Sequence, residues 1–320
     1  MSCESGRQVD CPHASELGSV ANPWIGSRLT TGGFERRVGL LAGAGRFPVR
    51  FCEAAIARGH EVVCVGIRGL ADEVLRRLST VYHEVGIAKL GRMIRLFKRH
   101  RVRQLVLAGK VYKHRLFDRW RVFRYLPDLR TIRFYLWSCR GNRKDDRMLL
   151  AVIDEFEAEG IQVRSALEIC PELLARPGLL STRSPNRREW EDIRFGWRLA
   201  KEMGRLDVGQ SVAVRDCATL AVEAIEGTDR AIERAGQLCR LGGFVVVKVA
   251  KPQQDVRFDV PTVGPNTIRT LHKAGGTVLA IEAHKTILLD ESETLGLANE
   301  LGISVVAVTE EMLEADCHGA

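Results

Sequence analysis

Residues 37–48 read Arg37-Val38-Gly39-Leu40-Leu41-Ala42-Gly43-Ala44-Gly45-Arg46-Phe47-Pro48. The first six residues form an apolar run that predicts a β-strand, the glycines predict a tight turn, and Pro48 is typical of a helix start. A helix over 48–58 and a second apolar run at 61–67 complete a strand, helix and strand in succession. This opening favours a Rossmann-like parallel sheet, in which ligands collect at the carboxyl ends of the strands.

The same alternation continues along the chain, so the predicted fold class is α/β with two domains. We expect a disordered arm at 1–35, a Rossmann-like N-terminal domain at 36–140 and a second α/β domain at 141–312, with a ligand cleft between the two domains. Further predicted strands lie at 81–85, 104–108, 161–164, 211–215, 220–224, 244–249, 277–281, 286–289 and 304–308. Further predicted helices lie at 71–78, 89–100, 145–159, 189–203, 229–239, 267–273 and 292–301.

Composition places the chain among globular proteins. It has 320 residues, 45% of them hydrophobic, and a net charge of +8. No stretch approaches the roughly 20 apolar residues of a membrane span. Residues 1–35 lack a basic start followed by an apolar run, so no secretory signal is expected. The nine cysteines are scattered and form no C-x-x-C, which favours a reducing cytosol.

Positive charge is concentrated between Lys98 and Arg147, where sixteen Lys or Arg face four Asp. Aromatic residues are interleaved with these charges, as in grooves that bind single-stranded nucleic acid. The same pattern describes an amphipathic surface helix that docks on an anionic membrane, or plain solvated charge around a core-facing stripe. The partner of this face should be anionic.

The segment Phe258-Asp259-Val260-Pro261-Thr262-Val263-Gly264-Pro265-Asn266-Thr267 places Asp259 on a predicted strand that leads into a turn and a helix start. A carboxylate beside backbone N–H groups and a hydroxyl can hold a hard cation such as Mg²⁺ while the turn receives anionic oxygens. The structural alternative is a strand end with Asn266 or Thr267 as the helix cap.

The Gly43-Ala44-Gly45 turn lies where a phosphate-binding turn belongs, but it is a poor dinucleotide fingerprint. Pro48 stands in place of the third glycine, and no acidic residue follows the strand at 61–67. A nicotinamide oxidoreductase is therefore disfavoured. The turn either contacts a nucleotide or diphosphate or is a structural tight turn. Lys110, after Gly109, either neutralises diphosphate charge or is an exposed lysine.

Three acidic segments have both a functional and a structural interpretation. The pair Asp145-Asp146 and the segment Glu226-Gly227-Thr228-Asp229 each lie at a predicted helix start, where they could contact substrate or simply cap the helix. The run from Lys248 to Asp259 alternates in charge, so Asp255, Arg257 and Asp259 would share one face of a strand. That face is either a binding site or a charged sheet edge.

Five segments, in this order, resemble the UDP-2,3-diacylglucosamine pyrophosphatases of lipid A biosynthesis, the LpxI type. The resemblance spans about 36–309. The segments are Gly43-Ala44-Gly45-Arg46-Phe47-Pro48, Gly204-Arg205-Leu206-Asp207-Val208-Gly209-Gln210, Glu226-Gly227-Thr228-Asp229, Lys248-Val249-Ala250-Lys251-Pro252-Gln253-Gln254-Asp255, and the segment that contains Asp259.

The resemblance implies a hydrolase that cleaves the diphosphate of UDP-2,3-diacylglucosamine to UMP and 2,3-diacylglucosamine 1-phosphate. Asp259 and Asp229 are the predicted catalytic residues. The predicted ligands of Mg²⁺ or another divalent cation are Asp259, Asp229, Glu226 and Asp255. The predicted substrate-binding residues are Gly43, Ala44, Gly45, Gly109, Lys110, Asp145, Asp146, Gln210, Glu226, Gly227, Thr228, Lys251, Arg257 and Thr262.

The expected partners are the lipid nucleotide-sugar substrate and, transiently, an anionic membrane surface, and no nucleic acid is expected as a partner. The expected location is the cytoplasm, with peripheral docking on the inner membrane, and a homodimer is left open. The alternative function is a nucleic-acid-binding protein that uses the basic face at 98–147.

Overall fold

A computed structural model describes residues 33–111, 127–138 and 145–315, without the side chains of 135–138, 145–147 and 315. Most of the predicted arm and of the basic-aromatic stretch lies outside the described residues. The chain divides into two units. One contains the described residues up to Pro171 together with Val256–Phe258, and the other contains Glu172–Asp255 and the described residues from Asp259 onward. The predicted ligand cleft stays a prediction.

The N-terminal unit contains a parallel sheet that confirms the Rossmann-like expectation. Among the described residues its strand order is β3-β2-β1-β4-β5, and every neighbouring pair is parallel. Strand β1 lies at the centre of the sheet, and its apolar sequence suits this buried position. The strands are β1 (Arg37–Ala42), β2 (Glu61–Ile67), β3 (Val81–Val85), β4 (Gln104–Ala108) and β5 (Gln162–Arg164).

Helices of the N-terminal unit cover this sheet with apolar faces. Helix α3 buries Met93, Ile94 and Phe97, and Phe97 meets Phe156 of α5 edge to face at 6.0 Å between ring centroids. Such a contact adds to the burial of both rings. The helices are α1 (Phe47–Ala57), α2 (Leu75–Leu78), α3 (Leu90–Arg99), α4 (Leu129–Ser138) and α5 (Asp145–Glu157).

The C-terminal unit contains a mixed sheet of order β6-β13-β11-β9-β7-β8 among the described residues. Strands β9, β11 and β13 are parallel, whereas β7 and β8 form the predicted antiparallel hairpin. The strands are β6 (Gly178–Leu179), β7 (Ser211–Arg215), β8 (Ala218–Val222), β9 (Phe244–Lys248), β11 (Gly276–Glu282) and β13 (Ser304–Val308). A separate parallel pair is formed by β10 (Thr262–Val263) and β12 (Ile287–Leu288).

Strand β9 is buried on both faces, because its alternate side chains enter two different cores. Val245 and Val247 pack with Trp197 of α6, whereas Phe244 and Val246 pack with the cluster that includes residues of α7 and α8. The period of two in a strand produces this division. The helices of this unit are α6 (Arg187–Arg205), α7 (Thr228–Leu238), α8 (Pro265–Ala274), α9 (Glu291–Glu300) and α10 (Glu310–Ala315).

The predicted charged strand through Asp255, Arg257 and Asp259 is wrong. The chain forms a turn over 256–258, closed by a hydrogen bond from the N–H of Asp259 to the carbonyl of Asp255 at 2.9 Å. Within the N-terminal unit, Ser165 Oγ donates to the carbonyl of Val256 at 2.8 Å and Phe258 packs on the core. These contacts offset the extended preference that the alternating pattern indicated.

The helix that follows is α8, and its cap also differs from the predicted one. Gly264 is the N-cap and Pro265 opens the helix, so neither Asn266 nor Thr267 caps it. Proline suits the first helical position because it has no N–H to leave unpaired. No helix of the described residues is both long and apolar enough to cross a bilayer.

Candidate functional site

The predicted turn residues of the N-terminal unit come together at the carboxyl ends of β1 and β4. Ala44 and Lys110 exchange backbone hydrogen bonds at 2.9 and 2.8 Å, and the N–H of Gly43 donates to the carbonyl of Ala108 at 2.8 Å. Gly109 has φ of +93°, and a Cβ there would lie 2.8 Å from the Ala44 carbonyl oxygen. The close approach of the two turns therefore requires glycine at this position.

Helix α1 begins beside this pair of turns without a side-chain cap. Arg46 is its N-cap, and Gly45 and Lys110 are exposed. Backbone N–H groups at a helix start, next to a cationic side chain, are suited to anionic oxygens. The backbone of Asp145 and Asp146 opens α5, but their side chains lie outside the described residues.

In the C-terminal unit, Lys248 joins two of the predicted segments. Its Nζ donates to Thr228 Oγ1 at 2.9 Å and to the carbonyl oxygen of Thr262 at 3.0 Å. Lys248 is 5% exposed and lies at the carboxyl end of β9. A buried lysine is rare unless its ammonium group is paired, so the two oxygens that accept its hydrogen bonds are needed to keep Lys248 inside the protein. It holds the start of α7 and the chain after Asp259 against one ammonium group.

Thr228 also donates its hydroxyl to Glu223 Oε1 at 3.0 Å. Thr228 is the first residue of α7, and the N-cap is Gly227, which has φ of +85° and no side chain to offer. The alternative that Thr228 or Asp229 merely caps the helix is therefore wrong. Because its hydroxyl is committed to Glu223 and Lys248, Thr228 contributes to a polar network.

Two buried oxygens border this network. Glu223 Oε2 and Ser211 Oγ have no hydrogen-bond partner among the described residues. Ser211 pairs with Lys248 across β7 and β9, so their side chains share a face of the sheet, and Glu223 donates its N–H to the Ser211 carbonyl at 2.8 Å. Buried polar atoms are almost always paired. These two oxygens can therefore accept or share a hydrogen bond with a further polar group.

The predicted site contains none of Glu223, Ser211 and Lys248, and the sequence places Lys248 in a charged run and in one of the five segments that carry the resemblance. A usable signal existed for Lys248, since it ends the apolar run Phe-Val-Val-Val at the carboxyl end of a buried strand. No local signal marks Ser211, because its role depends on which strand pairs with it.

The predicted acidic residues differ in their hydrogen bonds and in their exposure to solvent. Glu226 Oε1 accepts a hydrogen bond from Arg234 at 2.6 Å. A backbone hydrogen bond of Glu226 itself, and then the hydrogen bond from Arg234, lower the pKa of the Glu226 carboxyl. Asp229 is exposed in the first turn of α7, whereas Asp255 and Asp259 are half-buried and joined by their turn.

The predicted cationic residues form ion pairs. Lys251 Nζ lies 2.8 Å from Asp207 Oδ1, and Arg257 lies 3.2 Å from Glu157 Oε1. Gln210 and Gln254 are joined by a side-chain hydrogen bond of 3.3 Å. The loop that follows β9, which contains Lys251 and Gln254, is thereby held to Asp207 and Gln210.

The carboxylate oxygens of the predicted acidic residues are the candidate ligands of a divalent cation. Among the described residues, no three His, Cys, Asp or Glu side chains gather in a group that could hold a metal ion. Mg²⁺ does not require such a group, since it is commonly held by one or two carboxylates together with substrate phosphates and water. Asp255 and Asp259 each have hard oxygen donors of this kind and lie at the two ends of one closed turn.

Comparison with known proteins matches both units to one family. The model of the LpxI N-terminal domain matches residues 37–173, and the model of the LpxI C-terminal domain matches residues 176–306. The UDP-2,3-diacylglucosamine pyrophosphatase LpxI of Caulobacter vibrioides is 32% identical over 283 residues, which is 85% of this chain and 98% of the relative.

Proposed function

The chain belongs to the LpxI family, and from that membership we propose that it hydrolyses the diphosphate of UDP-2,3-diacylglucosamine. The products are UMP and 2,3-diacylglucosamine 1-phosphate, and the reaction is a step of lipid A biosynthesis. The relative in Caulobacter carries the name of this activity, and it is matched over almost its entire length.

The observation that carries the proposal is the Lys248 network. It ties Thr228, beside the proposed catalytic Asp229, to Thr262, three residues after the proposed catalytic Asp259. Two acidic segments distant in sequence are thus held by one buried cation. Precise placement of reacting groups is a large part of catalysis, so a rigid joint at this position supports an active site.

Asp259 is the residue to which we assign the attacking water. Its carboxylate accepts a hydrogen bond from the water and takes the proton as the water oxygen bonds to phosphorus and the bridging phosphorus–oxygen bond breaks. Asp229 assists from the first turn of α7. Lys251 contributes positive charge that offsets the phosphates. Gly227 leaves open space at the helix start, where a Cβ would meet no atom within 4 Å.

Mg²⁺ is proposed as the cofactor, with Asp259 and Asp255 as its main protein ligands. When bound, it would offset negative charge on the phosphate oxygens. Asp229 and Glu226 stay predicted ligands, although Arg234 already engages one oxygen of Glu226. The turns at Gly43 and Gly109, with Lys110, stay predicted contacts of the nucleotide or diphosphate.

The substrate carries two acyl chains, so we place the protein in the cytoplasm with transient docking on the anionic inner membrane. The homodimer stays a prediction.

The deciding experiment is incubation of the full chain with UDP-2,3-diacylglucosamine in detergent, with Mg²⁺ or with chelator, followed by quantification of UMP. We expect UMP release that requires the metal and that the Asp259→Asn variant largely loses. No UMP from the wild-type chain would refute the proposed activity. UMP release that persists in the presence of chelator would refute only the proposal that Mg²⁺ is the cofactor.

A further inference from the structure

Helix α3 presents a stripe of exposed arginines to solvent. Arg92, Arg95 and Arg99 recur at intervals of three and four residues, so they lie on one side of the helix. None of the three forms an ion pair with a described residue, whereas the neighbouring Lys98 is paired with Glu159 at 2.6 Å. The opposite side of α3 is buried in the core, so the stripe lies on the outer side of the helix.

Helix α4 lies beside the amino end of this stripe. The N–H of Arg92 donates to Asp128 Oδ2 at 3.0 Å, and the N–H of Leu90 donates to Thr131 Oγ1 at 3.0 Å. Asp128 immediately precedes α4, so these bonds fix the starts of the two helices next to each other.

The outer side of α4 carries exposed apolar residues. Leu129 is 86% exposed and Ile132 is 41% exposed, and Arg133 beside them is exposed as well. Positions 129, 132 and 133 lie on one side of a helix. We call the six residues Arg92, Arg95, Arg99, Leu129, Ile132 and Arg133 the α3–α4 face.

We propose that the α3–α4 face docks the protein on an anionic lipid bilayer. Surface helices that carry arginine beside aliphatic side chains bind the membrane interface, since the charges meet anionic headgroups and the apolar groups enter the acyl boundary. The inference rests on the proposed function, in which the substrate is a lipid. It adds the face that brings the protein to that lipid.

The chemistry of this face favours a bilayer over nucleic acid. Single-stranded nucleic acid is bound by stacking its bases on exposed aromatic side chains. The exposed apolar residues of the α3–α4 face are aliphatic, and Phe134, the aromatic residue of α4 whose side chain is described, is 8% exposed. Leucine and isoleucine gain free energy in an acyl environment and offer no stacking surface.

The test measures partition of the full chain onto sedimented vesicles of phosphatidylcholine with phosphatidylglycerol, and onto vesicles of phosphatidylcholine alone. The triple variant Arg92→Gln/Arg95→Gln/Arg99→Gln, which we call the α3 variant, should bind the anionic vesicles about hundredfold more weakly than wild type. The reason is that each positive charge strengthens binding to an anionic surface about fivefold. Leu129→Ser should weaken binding too. Added salt should reduce wild-type binding, since it screens exposed charges.

The matched control removes three exposed arginines from the other unit, as Arg187→Gln/Arg188→Gln/Arg240→Gln, and should bind as wild type does. Equal partition of wild type and the α3 variant onto anionic vesicles would overturn the proposal. Equal binding of the wild-type chain to neutral and to anionic vesicles would overturn it as well. A third contrary result would be a wild-type chain that binds no vesicles but binds a single-stranded RNA oligonucleotide, with the RNA binding lost in the α3 variant.

Activity is measured separately on a short-acyl analogue of the substrate dispersed without vesicles. Wild type and the α3 variant should release UMP at equal rates. Absence of UMP from wild type would refute the proposed activity, whereas the vesicle partition alone decides the docking surface.

Discussion

The ammonium of Lys248 donates to the hydroxyl of Thr228 at 2.9 Å, across 20 residues of sequence. The same ammonium donates to the carbonyl of Thr262. One buried side chain therefore spans the start of α7 and the segment after Asp259.

Replacement of Lys248 by Met should separate these two segments. The Thr262 carbonyl would lose a buried hydrogen-bond donor, so we expect the free energy of unfolding to fall by about 1–3 kcal/mol. Misplacement of the acidic residues should reduce kcat by about 100-fold. Lys248→Arg should recover part of the activity, and Lys273→Met, at an exposed position in the last turn of α8, is the control. Unchanged kcat in Lys248→Met would show that the network is only structural.

Thr228 allows a sharper test of the hydroxyl itself. Thr228→Val keeps the shape of the side chain but removes the oxygen that bridges Lys248 and Glu223. We expect a loss of about fivefold to tenfold in kcat/KM, equivalent to one hydrogen bond. Thr228→Ser keeps the oxygen and should stay close to wild type. Equal kinetics of the Val and Ser variants would exclude a role for the hydroxyl.

Asp259→Asn should reduce turnover by about 100-fold to 10,000-fold, because it removes the group that accepts the proton of the attacking water. The turn itself should persist in this variant, since the backbone N–H of Asp259, which closes it, is unchanged. Asp154→Asn, on the exposed side of α5, serves as the control. Kinetic assays paired with circular dichroism melts make the comparison, and wild-type turnover in Asp259→Asn would remove this residue from the mechanism.

Gly109→Ala should destabilise the N-terminal unit by about 1–3 kcal/mol, because its φ of +93° is unfavourable for alanine and the added Cβ meets the Ala44 carbonyl. Gly296→Ala, inside α9 with open space around it, should instead stabilise by about 0.5–1 kcal/mol. Chemical denaturation of both variants measures the difference. If both substitutions changed the free energy of unfolding in the same direction, the result would contradict the close approach of the turns at Gly43 and Gly109.

Glu159 should make stability depend on pH in the acid range. Hydrogen bonds from Lys98 and then Arg130 lower the pKa of its carboxyl from 4.5 to about 2. A lowered folded-state pKa means that the contribution is complete above about 4.5 and is lost as the pH falls towards about 2. The difference in melting temperature between wild type and Glu159→Gln should therefore narrow below pH 4.5. A difference in melting temperature that stays the same at every pH would contradict the assignment of this effect to the Glu159 carboxyl.

Most of the regular structure could be predicted from the sequence. The strands at 37–42, 61–67, 104–108, 211–215 and 304–308 occur where apolar runs bounded by turn residues indicate them, because a buried strand needs side chains that suit the core on both faces. The glycines at 43 and 109 likewise mark the ends of adjacent strands. These signals are local, so they can be read without knowledge of the partner.

The segment at 255–259 shows where local pattern fails. Alternating charge predicted a strand, but a backbone hydrogen bond and the contacts of Val256 and Phe258 with distant residues produce a turn. Those contacts exist only after the chain has folded, and they outweigh a weak extended preference.

The amino-acid sequence by itself determined the α/β class, the order of the elements and the acidic segments that the proposed chemistry uses. Only the tertiary structure decided that Lys248, Thr228 and Glu223 form one network, and that Ser211 lies beside it. The physical reason is range: strand and helix patterns depend on neighbours within a few residues, whereas a buried lysine is paired by whatever polar groups the packing of separate elements brings within about 3 Å.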